Sequence, residues 1–478
     1  MTADKNAVWV EVCARINGAA LGPLALALDE AGVTDALFDA RNGAVVGDLA
    51  ERLRLRPGLL QLAARVFELQ GWAVRQAEDA PERTLWRMTD PGREAVRCSP
   101  QQVSTSIEIA AAMARIHRSG IEADLLSDPL VALACQDDLA ALEPAGWSAR
   151  EGGLWLANAA GRCAIAMAPQ FLYVDGYRSL FSHTAALLRD DGPYRLPVDQ
   201  ADHEAHVDRA ADIAFSGLVF ARNCRTPFLE TALPLFDAMP PERQPRTVID
   251  TGAGDGTLLM ELFQAIRDRT RRGRCLTDYP LTMIAVEPSR VAREISAARL
   301  EAADVPHLVV AGDIGAPDQL AQTLSAHGIE MADALHVNKS VIHNRSVMAE
   351  EVSGEEDPAF AASLGVHLDQ EARPMTAQAA AGNLIAWFRR WRPWTERHGM
   401  IAIEAHIVAP ELVKRAGATP IPATELSHGL SLQHLVEAAF HRRAAELAGY
   451  ERRAARDLQT SLVGEPLMTC DHLLPKAT

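Results

Sequence analysis

Residues 247–257 read Thr-Val-Ile-Asp-Thr-Gly-Ala-Gly-Asp-Gly-Thr. An apolar, β-branched run ends in an acid, Asp250. Glycines follow at alternate positions, Gly252, Gly254 and Gly256, and a helical run from Leu258 to Ile266 begins at once. A strand, a tight turn and a helix satisfy this pattern. Glycine allows the turn, and it lets a ligand lie against the backbone with no Cβ in the way. A dinucleotide loop would carry its third glycine one residue deeper in the helix, so the spacing points to a different small molecule.

Four more strand candidates follow, separated by helical stretches. They are Leu281 to Val286, Leu308 to Ala311, Ala332 to Asn338 and Gly399 to Ala405. Together they predict a doubly wound α/β, Rossmann-like sheet. The second strand ends in Glu287, a carboxylate suited to both hydroxyls of a ribose. The third leads to Asp313.

The Asp-x-Gly-x-Gly-x-Gly spacing resembles motif I of the class I S-adenosylmethionine (SAM) methyltransferases. The resemblance implies that Gly252, Gly254 and Gly256 admit the methionine end, with Asp250 ordering the loop and reaching the SAM amine through water. It implies that Glu287 holds the ribose and Asp313 the adenine.

The chain has 478 residues, more than one ordinary domain. With 48% hydrophobic and 23% charged residues it can bury a core. Its seven cysteines form no Cys-x-x-Cys pair, which argues against a zinc ribbon and fits reduced thiols in a cytoplasm. The polar start carries no signal-peptide pattern, and no run reads as a membrane span of about 20 apolar residues. A net charge of −16 disfavours nucleic acid as a partner.

Three regions are expected. Residues 1–98 read as a winged-helix-like domain: a helical stretch from Leu21 to about Ala40, helices Val46 to Leu53 and Leu59 to Gln70, then strands at Gly71 to Val74 and Thr84 to Thr89 around a polar tip. The third helix carries a single arginine, too few cations to hold phosphates. Residues 99–235 read as a helical lid, with helices at Val103 to His117, Tyr173 to Phe181 and Val207 to Asn223. Residues 236–478 read as the SAM-binding domain, and the acidic stretch 349–358 reads as a solvated loop. A winged helix ahead of such a domain resembles the winged-helix small-molecule O-methyltransferases. That resemblance implies homodimerisation and a wall of the substrate pocket.

After the fourth strand comes Ser340-Val341-Ile342-His343-Asn344-Arg345. Ligands of open α/β sheets sit at the carboxyl ends of strands, and imidazole is suited to remove a proton near neutral pH. The same O-methyltransferases carry a similar Leu-His-Asp/Asn-Trp segment here, whose histidine is the general base, so the resemblance gives His343 that role. Arg345 replaces the tryptophan.

His-Asn-Arg resembles instead the His-Asp-Arg segment of C-methyltransferases from polyketide synthase loading modules. Val207 to Gly217, Glu404-Ala405-His406 and the run from Thr424 through His428-Gly429 to Gln433 extend this likeness over roughly residues 200–478. It implies a catalytic His428 and one iron or manganese ion on His428 and Gln433, which a third protein ligand, His343 or His406, or several waters would complete. His434 and His441 read as a partly exposed face of a helix from Leu432 to Leu447, and Cys470-Asp471-His472 as the closing strand after another at Ser461 to Val463.

The function expected is SAM-dependent C-methylation of an enolisable carbonyl, keto-acid or acyl-carrier-bound, in natural-product biosynthesis. The alternative is O-methylation of a small phenolic metabolite. A third reading is a SAM-fold regulator that no longer methylates. An acidic carrier would need a basic patch, either Arg389-Arg390 with Arg392 or Arg452-Arg453 with Arg456.

Overall fold

The computed structural model describes residues 3–76, 80–97, 99–199, 204–347 and 357–476. These fall into two compact units. Unit 1 comprises 1–215, 368–374 and 409–432, and unit 2 comprises 216–367, 375–408 and 433–478. The expected boundary at 98 does not separate two bodies, because the first helices pack against those that follow. Most of the acidic stretch 349–358 and part of the tip at 77–79 lie outside the described residues.

Unit 1 opens with helix α1, Lys5–Glu30, capped by the Asp4 carboxylate, which accepts from the amides of Asn6 and Ala7. This corrects the expected start near Leu21. By length and composition alone α1 could cross a membrane, contrary to the sequence reading, but 61% of its most apolar window is buried within the fold. Two of its glycines bring it close to helix α5, Pro100–Ser119. A Cβ on Gly18 would lie 2.7 Å from Ser106 Oγ, and one on Gly22 2.9 Å from Val103.

Between α1 and α5 come α2 (Val33–Asp39), β1 (Ala44–Val45), α3 (Val46–Leu53), α4 (Pro57–Leu69), β2 (Ala73–Gln76) and β3 (Leu85–Met88). The strands form one antiparallel sheet in the order β1-β3-β2. Pro57 sits in the first turn of α4, where its missing N–H costs nothing. The buried pair Arg65–Glu425, at 2.9 and 3.0 Å, ties α4 to the helix Ile421–Leu430. A hairpin, β4 (Ser148–Glu151) with β5 (Leu154–Ala157), lies further along. The expected helix at Tyr173 to Phe181 is two short ones, Phe171–Gly176 and Arg178–Ser182.

Unit 2 is built on seven strands: β6 (Thr247–Thr251), β7 (Thr282–Val286), β8 (His307–Val310), β9 (Leu335–Lys339), β10 (Met400–Ala405), β11 (Tyr450–Leu458) and β12 (Met468–Pro475). Their order is β11-β12-β10-β9-β6-β7-β8. The five expected strands are the parallel part, β8 to β10, and β12 joins antiparallel to β10 and β11. The partner of β12 is Tyr450–Leu458, not the expected Ser461 to Val463.

The side-chain period of two sends alternate residues to opposite faces. Ile249, Ile284, Val286, Met400 and Ala402 join one buried cluster with Trp387 and Trp391. Val248, Met283, Ala285, Ile401 and Ile403 join another with Phe220, Phe228 and Leu262. Such strands are apolar on both faces because helices cover both. Each fully buried Val, Leu or Ile contributes about 1.5–3 kcal/mol.

Candidate active site

At the carboxyl end of β6 the chain must reverse sharply. Gly252, Gly254 and Gly256 take φ of 83°, 56° and 78°, values that favour glycine. Gly252 also lacks space for a side chain, since its Cβ would meet Val341 Cγ1 at 2.3 Å. Gly256 is the N-cap of the helix Thr257–Arg269. Glu287, just past β7, accepts from the Gly254 amide at 2.6 Å, so the second-strand acid reaches the loop.

Asp250 is buried, and its Oδ1 has no hydrogen-bond partner. Burial, then the neighbouring Glu287, pushes its carboxyl well above the usual carboxylate range, while Lys339 at the end of β9 opposes this. A buried oxygen left without a hydrogen bond carries a desolvation cost that a donor would relieve, and the α-ammonium of SAM would fit as that donor. Asp313 is exposed, and its Oδ1 accepts from Gly315 N at 2.7 Å in a local turn.

The turn packed on Gly252 continues into Ile342-His343-Asn344, a single 3₁₀ turn. His343 is buried, and its Nδ1 is hydrogen-bonded to the buried Glu404 carboxylate, one residue before the end of β10. A carboxylate only accepts, so Nδ1 carries the proton and Nε2 is the basic nitrogen. Glu404 also accepts from Ile342 N at 2.9 Å. Burial raises its pKa, but His343 first, with His441 and His406, together outweigh this and bring it down to about 2. Sequence reading gave Glu404 no role. Its position, an acid near the carboxyl end of the fifth strand, was the available signal.

Arg345, where the O-methyltransferase segment has tryptophan, is buried. Its Nε donates to Asn383 Oδ1 at 2.9 Å and its Nη1 to the carbonyls of Ile342 and His434, both at 3.3 Å. It braces the His343 turn. His434 and His441 are buried rather than partly exposed, and the helix expected from Leu432 begins at Ala438. Leu432 has φ 55°, which breaks any helix there. His406 is satisfied by the Val436 carbonyl at 3.1 Å and Thr469 Oγ1 at 2.8 Å. Asp471 pairs with Arg442 at 2.7 and 2.9 Å, and Cys470, Asp471 and His472 all lie on the closing strand.

His428 lies inside the helix Ile421–Leu430 of unit 1, not on a loop. Its Nδ1 donates to the Thr424 carbonyl at 2.7 Å and lies 3.2 Å from the Tyr173 hydroxyl. Gln433 belongs to unit 2, and its Oε1 is buried without a partner. Among the described residues no group of three or more His, Cys, Asp and Glu is placed to hold a metal ion.

A family model for AprA MT2-like methyltransferase domains matches residues 204–460, more than half of the chain. The chain belongs to this family. It is therefore a SAM-dependent methyltransferase, in agreement with the seven-stranded sheet and glycine loop. Among curated proteins none matches. Solved structures similar to this methyltransferase include an O-methyltransferase family 2 protein from Planctomyces limnophilus in complex with apigenin. It is 14% identical, with 98% of this chain and 96% of that chain covered and a TM-score of 0.41. Human N-acetylserotonin methyltransferase in complex with SAM is 14% identical, with 97% and 94% covered and a TM-score of 0.30. Mitomycin 7-O-methyltransferase is 13% identical, with 97% and 94% covered and a TM-score of 0.32.

Proposed function

We propose that this methyltransferase methylates carbon, at an enolisable keto-acid or acyl-carrier-bound substrate in natural-product biosynthesis. The observation that carries the proposal is the buried His343–Glu404 pair, on a turn packed against the glycine loop. SAM supplies an electrophilic methyl on a sulfonium centre. Asp250 receives its ammonium, Glu287 the ribose hydroxyls and Asp313 the adenine amine. His343 Nε2 takes a proton from the carbon beside the carbonyl, and the C–H electron pair becomes the enolate. Glu404 bears the imidazolium charge, which stabilises the developing ion pair out of water.

O-methylation of a phenol is the second reading, with the same base. We further read residues 1–98 as a winged-helix-like domain that dimerises, and the enzyme as cytoplasmic, which the free thiols of the described cysteines support. Of the basic patches, Arg452, Arg453 and Arg456 each bridge a glutamate, at 2.8, 2.6 and 3.6 Å. Their charge is matched within the chain.

The test uses SAM labelled with ¹³C in its methyl group and a panel of a malonyl pantetheine thioester, an α-keto acid and a phenol. The proposal expects a carbon-bound methyl resonance with a carbonyl substrate. An oxygen-bound methyl on the phenol alone would move the assignment to the second reading.

A further inference from the structure

Helix Arg209–Val219 carries Ser216 and Gly217 into unit 2, where both touch the proposed SAM site. Ser216 Oγ accepts from Lys339 Nζ at 2.8 Å, at the end of β9. Gly217 lies against Asp255, the residue between the second and third loop glycines. A Cβ on Gly217 would stand 2.6 Å from Asp255 Oδ2 and 3.1 Å from both Oδ1 and Cγ.

Asp255 cannot easily yield. It is buried; Oδ1 accepts from Thr257 N at 3.0 Å and Oδ2 pairs with Arg299 at 3.1 Å. Arg299 also donates to Thr257 Oγ1 at 3.0 Å. Asp255 thus caps the helix that starts at Thr257 and fixes the turn between Gly254 and Gly256. Directly downstream of Gly217 the helix widens into a π-turn, Phe220–Cys224, a feature frequent at functional sites. Phe220 anchors that turn in the sheet's core. Glycine inside a helix weakens it, and the φ of Gly217 is not left-handed, so close approach to Asp255 is the reason for glycine here.

We propose that Ser216 and Gly217 are positioning residues for SAM: this helical turn is seated on the glycine loop through Asp255 and on the end of β9 through Lys339, and the seat sets the loop's shape. The inference rests on the loop being the SAM site. It separates SAM affinity from the proton-transfer pair, because none of its contacts involves His343 or Glu404. It also separates affinity from helix stability, since alanine at 217 strengthens the helix while displacing the Asp255 carboxylate.

The experiment is calorimetric titration of SAM into the full chain and four variants, with thermal melts on each. Gly217→Ala is expected to weaken SAM tenfold or more with a melting temperature no lower than wild type. Asp255→Ala also weakens it, but removes the obstacle, so Gly217→Ala/Asp255→Ala binds no worse than Asp255→Ala alone. Such non-additivity is the mark of direct contact. Wild-type affinity in Gly217→Ala, or effects that simply multiply in the double variant, would overturn the seat. Gly254→Val is the control. If it retains SAM, the loop is not the site and the seat falls with it; if it loses SAM while Gly217→Ala does not, only the seat falls.

Discussion

At the scale of single residues, the pairing of His343 with Glu404 makes the chemistry specific. His343→Ala removes the base and should lower kcat by roughly 10²- to 10⁴-fold, with SAM affinity near wild type. Glu404→Gln should lower kcat in the same direction, because an amide neither enforces the Nδ1–H tautomer nor offsets the imidazolium charge. Steady-state turnover beside SAM titration checks both, and unchanged kcat in either variant removes that residue from the mechanism. His343 was legible because it follows a strand end in a known type of segment. Glu404 was not, because its role depends on register: Ile403 pairs with Lys339, which brings β10's last carboxylate level with the turn after β9. His428 was read for its neighbours in sequence, yet its Nδ1 is committed to its own helix. Elemental analysis of the purified protein should find iron and manganese far below one per chain. A near-stoichiometric ion lost in His428→Ala would restore the metal.

At the scale of elements, the five parallel strands were readable because most of their residues are apolar and helical stretches separate them. The closing hairpin was half missed. β11 reads Tyr-Glu-Arg-Arg-Ala-Ala-Arg-Asp-Leu, rich in helix formers, and is buried only at its two ends. An edge strand with little burial leaves little apolar signal, and charges there guard the open edge. The apolar run before Ala438 misled in the opposite direction. Leu435 and Val436 are buried in extended chain, and Val436 bridges His406. Arg345 ties this segment to the His343 turn, so Arg345→Ala removes the guanidinium bonds to Asn383 Oδ1 and the His434 carbonyl, while the Ile342 carbonyl keeps the backbone amide of residue 345. It should destabilise unit 2 by roughly 1–3 kcal/mol. Chemical denaturation followed by near-UV circular dichroism measures this, and a loss well under that range would show the brace to be dispensable.

At the scale of the whole molecule, burial of neutral histidines links stability to pH. Desolvation lowers His336, His398 and His406 to about 4 and His441 to about 3. The unfolded chain takes up protons near 6.5 and the folded chain does not, so stability is full above pH 6.5 and is lost as pH falls toward 4. Each group adds up to about 1.4 kcal/mol per pH unit in that window. The denaturation midpoint should therefore drop between pH 7 and 5, before the carboxylates titrate, and His441→Leu should flatten the slope. The division of the molecule was the least legible feature. Residues 368–374 and 409–432 return to unit 1 after the sheet has begun, and local periodicity carries no information about such returns.

The central claim is that the turn after β6 holds SAM and that the base beside it is separate from that binding. The most direct measurement is titration of SAM into wild type, Gly254→Val and His343→Ala. The account predicts saturable one-to-one binding by wild type, its loss in Gly254→Val and its retention in His343→Ala. Wild-type binding by Gly254→Val would contradict it.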